Sequence, residues 1–111
     1  MIKDANGNEL TYWPISGLIE GQDSEVLQFT VEVPETPAYL RAAEDERYIA
    51  WARKVGDTDY VDIETDPYDL SALSGDVDFE MYIEATGPID GLERIPIVVS
   101  DGTQYPAGWS A

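Results

Sequence analysis

The 111 residues carry 23 Asp and Glu against six Lys and Arg, a formal net charge of −17, and no His or Cys. Those absences remove the commonest general base, the thiol nucleophile, disulfides and the usual transition-metal ligands, and the charge opposes a phosphate backbone or an anionic membrane as partner. At 43% hydrophobic, with three Trp, seven Tyr and two Phe, the chain has enough apolar material for one packed domain.

No apolar run approaches the ~18 residues of a membrane-spanning helix. Met1 to Gly7 lacks the basic and apolar regions of a secretion signal, so synthesis in a cytoplasm without export is expected. Scarce lysine beside abundant acids also suits a halophilic setting, where salt screens self-repulsion.

In chain order, Asn6-Gly7 predicts a hairpin turn between residues 2–4 and 9–13. Pro14 interrupts, and 15–19 is a short apolar stretch closed by the polar turn Glu20 to Asp23. Residues 25–33 are the cleanest strand, with Leu27, Phe29, Val31 and Val33 on one face and Gln28, Thr30 and Glu32 on the other. Pro34 and Pro37 stop it.

The stretch 38–55 reads two ways. Two strands, 38–43 and 47–54, turned at Glu44-Asp45-Glu46, are the preferred reading, with Trp51 as a core indole. A helix over 40–53 is the alternative, because Ala, Leu, Glu and Arg are good helix formers there. Gly56 to Asp59 is a turn, 60–64 alternates like a half-buried strand, and Asp66 to Gly75 is a crossover loop with room for one helical turn. In the next strand Val77, Phe79, Met81 and Ile83 face in, while Asp78, Glu80, Tyr82 and Glu84 face out. Gly87-Pro88 and Asp90-Gly91 turn the chain into a last strand, 92–100, where Pro96 belongs at a sheet edge or bulge. The tail follows.

About seven strands with short, even turns and no βαβ unit predict an all-β, immunoglobulin-like antiparallel β-sandwich. The expected organisation is an N-terminal hairpin or arm over 1–14, the sandwich over 15–100 and a tail over 101–111.

Several patterns resemble sites. Asp4 to Glu9 starts like a calcium loop, but the sixth and twelfth positions are Glu9 and Ile15 where an EF-hand needs Gly and Glu. A hairpin turn is the better reading. Asp62, Glu64 and Asp66 fall on one face of a strand, where they either bind a hard cation or, as preferred here, simply face water. With so many acids, some carboxylate pair lies at any glycosidase spacing, and Gly-x-Ser-x-Gly is absent. The chain is therefore expected to be no enzyme and to carry no catalytic residue, metal or cofactor. Aromatics remain as contact residues: Tyr105 and Trp109 in a Pro/Gly-rich tail, and Tyr12 and Trp13 near the start, are the candidate partner-binding residues.

Gly17 to Val26, leading into an alternating strand, is similar to the opening of Ig-like domains, and Asp69 to Gly75 resembles the corner before their penultimate strand. With its size and acidity, the chain resembles the Ig-like decoration and accessory proteins of tailed-virus capsids and tails, from bacterial or archaeal viruses. The likeness spans residues 15–100 and departs from the pattern at Pro34 to Pro37. It implies a virion structural protein whose partners are the subunits of the major capsid or tail protein, with no nucleic acid, no membrane, and homo-oligomers compatible. Two other readings stay open: an acidic mimic of nucleic acid that blocks a DNA-binding protein, using the alternating acids at 57–66 and 76–84, and a small carbohydrate-binding module.

Overall fold

Alternation of apolar and polar side chains governs the longer strands of this chain. In the computed structural model, which describes residues 1–100 (the Leu92 side chain excepted), the chain forms nine strands and no helix. They are β1 (Ile2–Lys3), β2 (Tyr12–Leu18), β3 (Leu27–Val33), β4 (Tyr39–Ala42), β5 (Tyr48–Lys54), β6 (Val61–Asp62), β7 (Tyr68–Asp69), β8 (Gly75–Ala85) and β9 (Ile89–Ser100). One sheet runs β1-β3-β8-β5-β6 and the other β2-β9-β4-β7, with every pairing antiparallel. The all-β sandwich expected from the sequence is the fold found.

The core lies between the sheets. Phe29, Val31, Phe79, Met81 and Ile83 come from the five-stranded side, and Trp13, Ile15, Leu40, Ile89, Ile95 and Ile97 from the other. Phe29 stacks on Phe79 across β3 and β8 with centroids 6.0 Å apart, and Tyr68 meets Phe79 edge-on at 5.0 Å. Burial on this scale is the main source of stability, since each large apolar side chain removed from water contributes about 1.5–3 kcal/mol.

The stretch 38–55 resolves as two strands in different sheets, so the helical alternative over 40–53 falls. A turn closed by Tyr48 N–H donating to the Asp45 carbonyl at 3.4 Å separates them. The expected strand 60–64 shrinks to Val61–Asp62, because the Asp66 N–H donates back to the Asp62 carbonyl at 2.8 Å and coils the rest. The crossover loop holds the two-residue β7 and no helical turn. Asp90-Gly91 does not turn the chain either: it lies inside β9, where Gly91 (φ 71°) faces the register shift at Gly17 (φ 70°) on β2. Both glycines occupy the left-handed region that side chains resist, which gives a bulge instead of a turn.

At the start, Asp4 N–H donates to the Asn8 carbonyl and Leu10 N–H to the Ile2 carbonyl, both at 2.8 Å, and Lys3 and Glu9 face each other in a main-chain β-bridge, so a hairpin does form. The Asp4 carboxylate accepts the N–H groups of Asn6 and Asn8 at 2.9 and 3.0 Å and is committed to the turn. Pro14 does not interrupt β2. It sits within an edge strand, where a missing N–H does no harm. Pro96 occurs where β9 changes neighbours, pairing β2 up to residue 96 and β4 from residue 97.

Candidate functional site

The five-stranded sheet presents an unusual outer face. On β8 the outward residues are Asp76, Asp78, Glu80, Tyr82 and Glu84, and β5 adds Ile49, Trp51 and Arg53. Register sets these side chains in rows: Gln28–Glu80–Arg53, Tyr82–Trp51–Asp62, and Asp23–Glu84–Ile49. Residues directly opposite across a sheet touch, so the face is a lattice of aromatics and carboxylates.

The contacts within it are specific. The Trp51 indole N–H donates to Glu84 Oε1 at 2.9 Å. Tyr60, in the loop before β6, meets Tyr82 edge-on with centroids 4.8 Å apart. Arg53 lies over the Tyr60 ring at 4.2 Å, donates from Nε to Glu80 Oε1 at 2.7 Å, and reaches the Thr58 carbonyl at 3.2 Å. The guanidinium is thereby held in its charged form, chiefly by Glu80. Trp51, Tyr60 and Tyr82 are all half-buried. Burial, with the charges of Asp23 and Glu84 behind it, pushes the Tyr82 hydroxyl above its ordinary range.

A second feature lies at one end of the sandwich, bordering this face through Ile49 and Asp62. It is a groove of about 540 Å³ lined mainly by acids, among them Glu44, Asp45, Glu46 and Glu64. Glu64 is buried, 5% exposed, and its two oxygens accept the Ala50 N–H at 2.5 Å and the Asp45 N–H at 3.2 Å. Desolvation pushes its carboxyl up to about 7. Beside it Arg47 grips Asp45 through Nε and Nη2 at 3.0 and 2.9 Å and reaches Glu93 on β9 at 2.6 Å. Its main-chain carbonyl accepts the N–H groups of Thr86 and Gly87. Asp45, bonded this way, is held below the usual carboxylate range. Chemically, this end is a brace: Glu64 and Arg47 tie the 43–47 turn to both sheets.

The strand reading of 60–64 therefore misplaces the acids. Glu64 turns inward as a main-chain acceptor, whereas Asp62 bonds the Glu64 N–H and the Thr65 hydroxyl at 3.0 and 3.1 Å. Among the described residues no group of three or more candidate ligands is arranged to hold a metal ion.

The candidate contact residues separate. Tyr105 and Trp109 lie outside the described residues. Tyr12 is 38% exposed on the four-stranded sheet, with the Arg94 guanidinium 5.0 Å from its ring centre. Trp13 is 7% exposed and points into the core, because β2 alternates Trp13 and Ile15 inward. It is the core indole, and Trp51, expected in that role, lies on the outer face. The structure thus brings together Trp51, Tyr60 and Tyr82, of which only Tyr82 was read as facing out. Hydrophobicity gives no signal for this: β5 buries the small Ala50 and Ala52 and turns the larger Ile49 and Trp51 outward.

Compared with protein families, with curated proteins and with solved structures, the chain matches none.

Proposed function

We propose that this chain is a non-enzymatic structural subunit that docks onto a larger protein assembly through the outer face of its five-stranded sheet. The observation that carries the reading is the trio Trp51, Tyr60 and Tyr82, fixed by strand register and ring contacts on a face rich in carboxylates. Contact energy in interfaces concentrates in Trp, Tyr and Arg held rigidly at the centre, ringed by polar groups that exclude water. Acids around the trio keep free subunits apart until a partner arrives.

The assembly we have in view is the capsid or tail of a virion, with the chain as an Ig-like accessory subunit. Supporting the Ig-like part, β1-β3-β8-β5 and β4-β9 reproduce the grouping of first, second, fifth and fourth strands against third and sixth in immunoglobulin domains. The departure is β2, which holds the position beside β9 that a last strand would take. Nucleic-acid mimicry fits this face less well. A phosphate-like row needs free charges at regular steps, yet along β8 the row is broken where Glu80 is paired with Arg53 and where Tyr82 stands in place of an acid.

Density-gradient banding of particles from cells making the chain tests the reading. The chain should co-band with particles, and Trp51→Ala should lower its occupancy at least tenfold. A chain that stays wholly in the soluble fraction overturns the assembly reading.

A further inference from the structure

The docking face already contains one bound arginine, and it is the protein's own. Arg53 stacks over Tyr60 at 4.2 Å and donates to Glu80 at 2.7 Å, so one ring and one carboxylate hold one guanidinium. Next to it stands a second ring-and-carboxylate set. Tyr82 lies beside Trp51 in one row, and Glu84 with Asp23 opens the next.

That second set differs from the first in charge. Asp23 and Glu84 are directly opposite each other at a β-bridge, an arrangement that like charges destabilise. Glu84 accepts one hydrogen bond, from the Trp51 indole at 2.9 Å, while a carboxylate offers about four acceptor sites. Asp23 is exposed and Glu84 half-exposed, so both remain reachable from solvent. The two ring faces nearby are negative at their centres and attract a cation within ~6 Å.

We propose that the corner formed by Tyr82, Trp51, Glu84 and Asp23 receives an arginine side chain from the partner protein. The inference rests on the docking reading above and deepens it by naming the partner's chemistry. A guanidinium suits the corner better than an ammonium, because its plane stacks on a ring while its fork reaches two carboxylate oxygens at once. Charge complementarity selects the same partner: the chain carries −17, and the groove bordering this face through Asp62 is lined mainly by acids. A basic segment crossing the corner would run on into that groove.

The test uses the full chain, labelled with ¹⁵N, titrated with N-acetyl-arginine amide and, in parallel, with its neutral isostere N-acetyl-citrulline amide. The expected result is a saturable shift of the Trp51 indole N–H and the Tyr82 and Glu84 amides with arginine and none with citrulline. Glu84→Gln keeps an acceptor for the indole while deleting the charge, and should weaken binding at least fivefold. Glu35→Gln, an equal charge loss at an exposed position away from the face, should leave it within twofold. Equal responses to the two amides, or equal losses in the two variants, overturn the proposal. The two readings fail separately: arginine binding without particle co-banding leaves the corner and removes the virion setting, whereas co-banding indifferent to Glu84→Gln removes the corner alone.

Discussion

Two tryptophans, one on each sheet, show how differently this sandwich uses the same side chain. Trp13 on β2 is 7% exposed and packs in the shared core. Trp51 on β5 stands on the outer face and spends its indole N–H on Glu84. The surfaces behind them differ as well. Outside β2, Tyr12, Pro14 and Ser16 alternate outward, with one cation, Arg94, over Tyr12. Outside β8 and β5, rings are set among Asp62, Glu80 and Glu84. One sheet is built to close the core, and the other also offers a surface.

Substitutions can separate those roles. Trp13→Ala should cost about 3–5 kcal/mol through the cavity it leaves, read as a large fall in the urea midpoint. Trp51→Ala should cost only about 1 kcal/mol, since a half-buried ring gives up less apolar area, while abolishing retention on particles. If the two variants lost stability equally, Trp51 would be a second core residue and the contrast between the sheets would fail.

The brace at the end of the sandwich gives a pH prediction. Glu64 has an ordinary value of 4.5 and is raised to about 7 in the folded chain, so the fold prefers its protonated form. The folded state therefore binds more protons than the unfolded state between those values. Its contribution is fully present below pH 4.5 and is lost as pH rises through about 7. Asp45 runs the opposite way: its lowered value adds stability above 3.8 that disappears in stronger acid. Denaturation midpoints should climb from pH 8 to pH 5, and Glu64→Gln should flatten that slope. A slope unchanged in Glu64→Gln would assign it to the general relief of negative charge instead.

Smaller again is the effect of Arg47→Met, which removes the grip on Asp45 and Glu93. Because that pair network is partly exposed, about 1 kcal/mol is expected, shrinking in ~1 M salt. A loss that salt leaves untouched would point to Arg47's packing rather than its charge.

How much of this was legible in the residues depends on which force placed them. β3 and β8 could be read directly, because large apolar side chains at every second position leave one choice of face. β5 misled for the same reason. Its inward positions hold Ala50 and Ala52, both fully buried, against the bulky Met81 and Ile83 of β8 and the core beyond. Hydrophobicity alone then favours Ile49 and Trp51 as the inner face, and so places Trp51 in the core that Trp13 occupies. Glu64 was illegible for another reason: the turn through Asp66 ends the period of two, and no spacing rule predicts a carboxylate folding back onto main-chain N–H groups. Gly91 reads as a turn former because positive φ serves turn and bulge alike, whereas its partner Gly17 lies inside an apolar stretch that gives no sign of a bulge.

The division of β9 at Pro96 bears on how the chain reaches this structure. Trp13 pairs with Ile95 and Leu40 with Val99, so both partners of β9 wait for a strand made long after them. On a translating ribosome, β2 emerges with no strand to pair with until β9, and β4 has only the two-residue β7 before then. Non-local pairing of this kind slows folding, because the loop entropy is lost before the contacts form. In order of synthesis the four-stranded sheet is a clasp completed last, because β9 follows every strand of the other sheet, and without β9 Trp13 and Ile15 lack their neighbour in the sheet. The acids scattered along the early chain carry the charge that holds such nascent chains apart in the interval.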